Sequence, residues 1–116
     1  MIDDSKMMRL YLNRCLTKAG HEVEEWLPAS AMEVADHLAA SGPDLVLSDY
    51  QMPGCNGATI ARMTAKAEKK VPVIILTAFK DDDMVQSLRK VGVEHVLTKP
   101  IEAEALVSVV NAALGA

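Results

Sequence analysis

The chain has 116 residues, half of them hydrophobic and 24% charged, with a formal net charge of -4 at pH 7. A chain of that size and mixture is expected to form one globular domain spanning residues 1–116, and the acidic balance (pI near 5.3) lacks the clustered Lys and Arg of a nucleic-acid footprint. No apolar run reaches the roughly 18–20 residues of a membrane span, and no basic segment leads into an apolar stretch and cleavage site, so the chain is expected to be cytoplasmic and to contact neither membrane nor nucleic acid directly.

Short runs of Val, Ile and Leu alternate with longer helical patterns, which is the pattern of a parallel sheet covered by helices on both faces. After Ile2-Asp3-Asp4, Ser5 caps a helix with Met8, Leu12, Cys15, Leu16 and Ala19 on one face, ended by Gly20. Residues His21 to Leu27 alternate around Val23 as an edge strand, Pro28 breaks it, and a second helix runs over about residues 30 to 40 until Gly42-Pro43. Asp44 to Asp49 reads as a strand buried on both faces, and a loop with Pro53, Gly54 and Gly57 follows. A third helix over residues 58 to 69 leads to the buried strand Pro72 to Thr77. Asp81-Asp82-Asp83 opens a fourth helix carrying Met84, Leu88 and Val91, acidic residues being expected in a first turn, and Glu94 to Thr98 is the last strand. The final helix buries Ala103, Leu106, Val107, Val110, Ala113 and Leu114.

In an open α/β sheet the ligand crevice lies beyond the carboxyl ends of the strands. Asp3 and Asp4 end the first strand, Asp49 the third, Thr77 the fourth and Lys99 the fifth. Carboxylates gathered in one place repel unless a cation lies among them, and hard oxygen donors without His or Cys favour Mg²⁺. Asp49, central in the crevice and flanked by a hydroxyl and an ammonium, is the candidate nucleophile toward phosphorus.

The motifs Asp3-Asp4-Ser5, Asp49-Tyr50-Gln51-Met52-Pro53 with Gly57, Leu76-Thr77-Ala78 and Lys99-Pro100 resemble those of the receiver domains of two-component response regulators, over essentially the whole chain. The resemblance implies a flavodoxin-like, doubly wound five-stranded parallel sheet of order 2-1-3-4-5, helices on both faces and a truncated first strand. It implies that Asp49 accepts a phosphoryl group from a phosphohistidine on a histidine kinase or phosphotransfer protein. Asp3, Asp4, Asp49 and the backbone carbonyl of Gln51 would hold Mg²⁺; Thr77 and Lys99 would bind the phosphoryl group, Ala78 would keep the approach open, and the Lys99-Pro100 bond would be cis. The switch would control an output domain or downstream protein.

Two positions depart from that pattern. Val96 stands where similar domains carry Tyr or Phe, and only Met1 and Ile2 precede the acidic pair where about five apolar residues are usual. The short first strand points to self-association as a homo-oligomer with an altered acidic pocket. Alternative readings are a degenerate receiver serving as a constitutive interaction module, and a small phosphohydrolase using Asp49. His21, His37 and His95 share no metal-ligand spacing, Cys15 and Cys55 show no disulfide or zinc pattern, and Lys66, Lys69 and Lys70 read as a solvated helix end.

Overall fold

The computed structural model describes residues 1–3, 5–26, 33–51, 56–66 and 71–115. Local chemistry sets most helix ends. In α1 (Lys6–Lys18) the Ser5 hydroxyl accepts from the Met8 amide at 3.3 Å, and the helix closes at Ala19 before Gly20, whose φ of 95° is costly for any residue with a Cβ. Helix α2 (Glu33–Ser41) carries Glu33 and Asp36 in its first turn. After strand β1 (Val46–Asp49), Asn56 caps α3 (Gly57–Ala65) by accepting from the Thr59 amide at 2.9 Å. Strand β2 (Val73–Thr77) leads to α4 (Asp82–Lys90), where the Asp81 carboxylate accepts from Met84 N at 2.8 Å and Arg89 and Lys90 occupy the negative end of the helix dipole. Strand β3 (His95–Thr98) and α5 (Ala103–Ala113) complete the fold.

The regular sheet is parallel, in the order β1-β2-β3, with Val46 opposite Val73 and Ile74 opposite His95. Two short segments extend it beyond β1. Ile2 bridges Ser48 in parallel fashion, its amide donating to Leu47 O and its carbonyl accepting from Asp49 N, both at 2.7 Å. On the far side of this stub the Met1 amino group donates to Glu24 O at 2.9 Å and Trp26 N donates to Met1 O at 3.0 Å. The lateral sequence is therefore 24–26, 1–3, β1, β2, β3, which reproduces the order 2-1-3-4-5 with its first two places held by fragments. The expected edge strand from His21 to Leu27 is not regular over residues 21–26, where the segment is tied to the stub through Glu24 O and Trp26 N; Leu27 and Pro28 lie outside the described residues.

Successive strand residues face opposite layers, so an unbroken apolar run serves two cores. Val73 and Ile75 pack with Ile2, Val46, Val34, Leu38, Ile60 and Leu88 toward α2, α3 and α4. Ile74 and Leu76 pack with Leu47, Leu12, Leu16, Leu106 and Val110 toward α1 and α5. Ala19, Ala103 and Leu114 were expected in these cores but are exposed, since each lies at a helix end that projects past the sheet. The third helix is described as far as Ala65 with Lys66 as its cap; the expected start of the second helix near residue 30 and the expected end of the third at residue 69 lie outside the described residues.

Gly57 pins the crevice-side loop against the sheet. Its amide donates to Tyr50 O at 2.7 Å, and a Cβ there would stand 2.8 Å from Tyr50 Cα and 2.9 Å from Asp49 O, both backbone atoms that cannot turn aside. Gly57→Ala is expected to lower stability by about 1–3 kcal/mol, the usual cost of overpacking. A denaturation midpoint equal to that of the unsubstituted chain would show that the loop yields freely.

Candidate functional site

Three of the predicted site residues converge where the stub, β1 and β3 end. Asp3 is only 1% exposed and Asp49 7%. Lys99, just after β3, sends its Nζ between them, 3.2 Å from Asp3 Oδ2 and 3.0 Å from Asp49 Oδ1. Despite the shortness of the first strand, its single bridge at Ile2 suffices to bring Asp3 to this place. The Lys99-Pro100 bond is cis. Lys99 N donates to Thr77 O at 2.7 Å, which ties the exits of β2 and β3 together.

Thr77 is buried, but its hydroxyl is turned into its own loop, donating to Phe79 O at 2.9 Å while accepting from Phe79 N at 3.2 Å. Ala78 is exposed beside it, and Gln51 is exposed at the exit of β1. Asp4 and the loop residues Met52 to Cys55 lie outside the described residues. Asp81 serves as a helix cap, in keeping with the structural reading of the acidic run. Among the described residues no cluster of three or more His, Cys, Asp or Glu is arranged to hold a metal; the geometry supplies Asp3 and Asp49, two buried hard-oxygen donors sharing one cation, and that donor set suits a hard divalent ion.

Burial alone would lower the pKa of Lys99, but hydrogen bonds and charge attraction from Asp49 and Asp3 outweigh it and the value is raised above 10.5. A base whose folded pKa is raised contributes stability that is complete below its unfolded value and is lost as pH climbs through the folded one. The urea midpoint should therefore fall more steeply above about pH 10.5 in the unsubstituted chain than in Lys99→Met. Parallel pH profiles for the two would contradict the pairing.

Sequence reasoning missed the residues that brace Asp3. The Arg9 guanidinium donates from Nη1 to Asp3 O at 2.6 Å and lies 3.4 Å from Glu25 Oε1 through Nε, while Ser5 N donates to Asp3 Oδ1 at 2.9 Å. The Ser5 contact was foreshadowed by its capping position. Arg9 carries no signal of this kind, being one basic residue on the polar side of an amphipathic helix. His37, read as an isolated histidine, stacks on Trp26 with ring centroids 3.8 Å apart and pairs with Glu24, so it fastens α2 to the sheet margin. His21 meets Asn111 Oδ1 at 3.0 Å.

The arrangement can be compared with known proteins. The family described as "Response regulator receiver domain" matches residues 1–111. The chain belongs to that family. Receiver domains are phosphoacceptor signalling domains of two-component systems, not metabolic enzymes. This one is 34% identical over 114 residues to the DNA-binding transcriptional regulator NtrC of Klebsiella pneumoniae, covering 98% of the chain and 24% of NtrC. It thus spans about a quarter of that relative's length. It is 29% identical over 104 residues to sporulation initiation phosphotransferase F of Bacillus subtilis, covering 90% of the chain and 82% of the relative.

Solved structures agree on the fold. The signal receiver domain of the putative response regulator NarL from Mycobacterium tuberculosis superposes with a TM-score of 0.87 at 24% identity, over 98% of this chain and 92% of that one. The receiver domain of the sensor histidine kinase PA1611 from Pseudomonas aeruginosa gives 0.81 at 20% identity, over 99% and 94%; that structure has a magnesium ion coordinated in its active-site cleft.

Proposed function

We propose that this receiver takes a phosphoryl group onto Asp49 from the phosphohistidine of a histidine kinase or phosphotransfer protein, and that the acyl phosphate then biases the fold toward a form read by an output domain or a downstream protein. The observation that carries the reading is the convergence of two nearly buried carboxylates on one lysine, 3.0 and 3.2 Å away, at the exits of separate sheet segments. The Asp49 carboxylate attacks phosphorus in line; the new O–P bond forms as the P–N bond to the donor imidazole breaks, and the imidazole leaves with a proton from solvent. Lys99, already beside the attacking carboxylate, stays to pair with the added charge, and Thr77 gives its hydroxyl to a phosphoryl oxygen.

Asp3, Asp4, Asp49 and the Gln51 carbonyl are the residues that would hold Mg²⁺, which when bound neutralises charge on the transferring group. Hydrolysis of the acyl phosphate within the same site returns the domain to rest. The match to one quarter of NtrC supports an output domain or partner beyond these residues. Among the described residues no helix is long and apolar enough to cross a membrane, and the cytoplasm, where such donors present phosphohistidine, is the compartment we assign.

The test is intact mass after incubation with Mg²⁺ and a small phosphodonor. One added phosphoryl group supports the reading. Continuous turnover of the donor without a labelled species would favour the phosphohydrolase alternative, and no label despite Mg²⁺ binding would favour the constitutive interaction module.

One observation bears on that last alternative. Val96 is buried in β3, and its carbonyl accepts from Lys80 Nζ at 3.1 Å. A branched aliphatic side chain has no ring to exchange between an outer and an inner position, so coupling from the crevice to α4, β3 and α5 should be weak. Adding a phosphoryl analogue should shift amide resonances over residues 84 to 110 only slightly, and Val96→Tyr should enlarge the response. Large shifts that Val96→Tyr leaves unchanged would refute this account.

A further inference from the structure

Asp3 follows the isolated bridge at Ile2. Met1 N donates to Glu24 O at 2.9 Å and Trp26 N donates to Met1 O at 3.0 Å, which sets residue 1 opposite residue 25 in a parallel ladder. Asp3 is the next residue to turn its carbonyl to that side, and the register assigns its donor to position 28. Position 28 is a proline, which has no N–H to give. A side chain takes the carbonyl instead: Arg9 Nη1 donates to Asp3 O at 2.6 Å.

The guanidinium is itself aimed. Arg9 Nε lies 3.4 Å from Glu25 Oε1, and the other oxygen of Glu25 accepts from Asn13 Nδ2 at 2.8 Å, one turn further along α1. Asn13 Oδ1 in turn accepts from Thr17 Oγ1 at 2.8 Å. Residues 9, 13 and 17 are four apart, so they stand in one row on α1, and two of them hold Glu25. The Arg9 and Glu25 side chains are 22% and 36% exposed, and a pair so placed adds little stability. A planar fork whose donors meet acceptors on two separate segments is better suited to fixing geometry.

Ile2 O accepts from Asp49 N at 2.7 Å, so β1 fixes the peptide before Asp3. Arg9 fixes the peptide after it. With both planes held, the Cα–Cβ bond of Asp3 keeps one direction, and the carboxylate meets Ser5 N at 2.9 Å through Oδ1 and Lys99 Nζ at 3.2 Å through Oδ2.

We propose that Arg9 is a positioning residue for the crevice: spanning Glu25 and the Asp3 carbonyl, it holds the Asp3 carboxylate in the orientation that faces Lys99 and would ligate a divalent cation. The inference rests on the assignment of Asp3 to the Mg²⁺ set above, and it makes Glu25, at the sheet margin, a determinant of cation affinity. Charge alone predicts a different pattern. A guanidinium near two carboxylates repels Mg²⁺, so its removal would tighten binding, whereas removal of the Glu25 charge would loosen it. Positioning predicts looser binding from both.

The experiment titrates Mg²⁺ into the unsubstituted chain, Arg9→Met, Arg9→Lys, Glu25→Gln and the double variant Arg9→Met/Glu25→Gln, following amide resonances, and measures amide exchange without metal. Arg9→Met is expected to raise the Mg²⁺ Kd by about tenfold, the usual effect of losing a partner that orients a metal ligand. It should also speed exchange at Ser5, whose amide reports the Asp3 carboxylate directly, while Leu12 and Leu16, deeper in α1, keep their protection. Arg9→Lys should recover part of the affinity, having one head for two acceptors. Glu25→Gln should weaken binding by about threefold and add nothing to Arg9→Met, since the two act through one contact. Tighter Mg²⁺ binding by Arg9→Met, or opposing effects that cancel in the double variant, would overturn the proposal in favour of charge. Loss of protection at Leu12 and Leu16 together with Ser5 would overturn it in favour of a loosened helix. Unchanged Ser5 exchange in Arg9→Met would overturn it even if no form bound Mg²⁺, a result that by itself would sink only the metal assignment.

Discussion

Asp49→Asn should reduce phosphoryl uptake from a small phosphodonor by on the order of a thousandfold or more, while leaving the chain folded. An amide nitrogen or oxygen is a poor nucleophile toward phosphorus and cannot give a stable acyl phosphate, so the loss is that of the attacking group itself. The fold survives because Lys99 keeps its second partner, Asp3, at 3.2 Å, and the amide oxygen can still accept. Asp3 cannot take over as acceptor: it is 1% exposed, and its oxygens are engaged by Ser5 N and Lys99 Nζ. Intact mass and far-UV circular dichroism check the two halves of this expectation. Label at the level of the unsubstituted chain would place the phosphoacceptor elsewhere.

Lys99→Ala should destabilise the resting domain by about 2–3 kcal/mol at neutral pH, a discount from the 3–5 kcal/mol typical of a fully buried pair because the lysine side chain is 21% exposed. The cost arises from Asp3 and Asp49, which would face each other without the ammonium that now lies between them. Two consequences separate this from a simple packing defect. The deficit relative to the unsubstituted chain should shrink as pH falls and the carboxylates protonate, and Mg²⁺ should raise Tm more in Lys99→Ala than in the unsubstituted chain. Urea denaturation at pH 7 and pH 4 checks the first, and a Mg²⁺ titration of Tm the second. A deficit independent of both pH and Mg²⁺ would mean that the lost methylenes, and not the charge, carried the effect.

Much of this site was legible because strand-end chemistry is local. A buried run ending in Asp49 or Thr77 announces both the strand and the group it delivers, and the topology of a parallel sheet brings those ends to one side whatever the intervening helices do. The same locality explains the caps at Ser5 and Asp81. What the sequence did not disclose depends on pairs distant along the chain. Arg9 reaches the Asp3 carbonyl only because α1 turns back over the stub, and Trp26 stacks on His37 only because the sheet margin meets α2. Helical period likewise overextended the cores: it marks which side of α5 faces inward, but only the reach of the sheet decides where burial stops, which leaves Ala103 and Leu114 in solvent. The edge segment around Val23 has strand-like alternation, yet a strand needs a neighbour, and the bonds to Met1 are made only at Glu24 and Trp26, on either side of residue 25.

The Thr77 loop has one proton to give and two places to give it. While the hydroxyl donates to Phe79 O, it holds the backbone of the exposed Phe79, 74% of whose surface is in water, in the turn after β2. Any anion that recruits this hydroxyl does so by competition with a neutral carbonyl, so the driving force is the difference between two hydrogen bonds and not the whole of one. A charged acceptor outbids a neutral one by about 1 kcal/mol, enough to change the ratio of the two loop positions by roughly fivefold. The loop is therefore a nearly balanced exchange, set by which acceptor bears more charge, and its resting arrangement costs little to abandon.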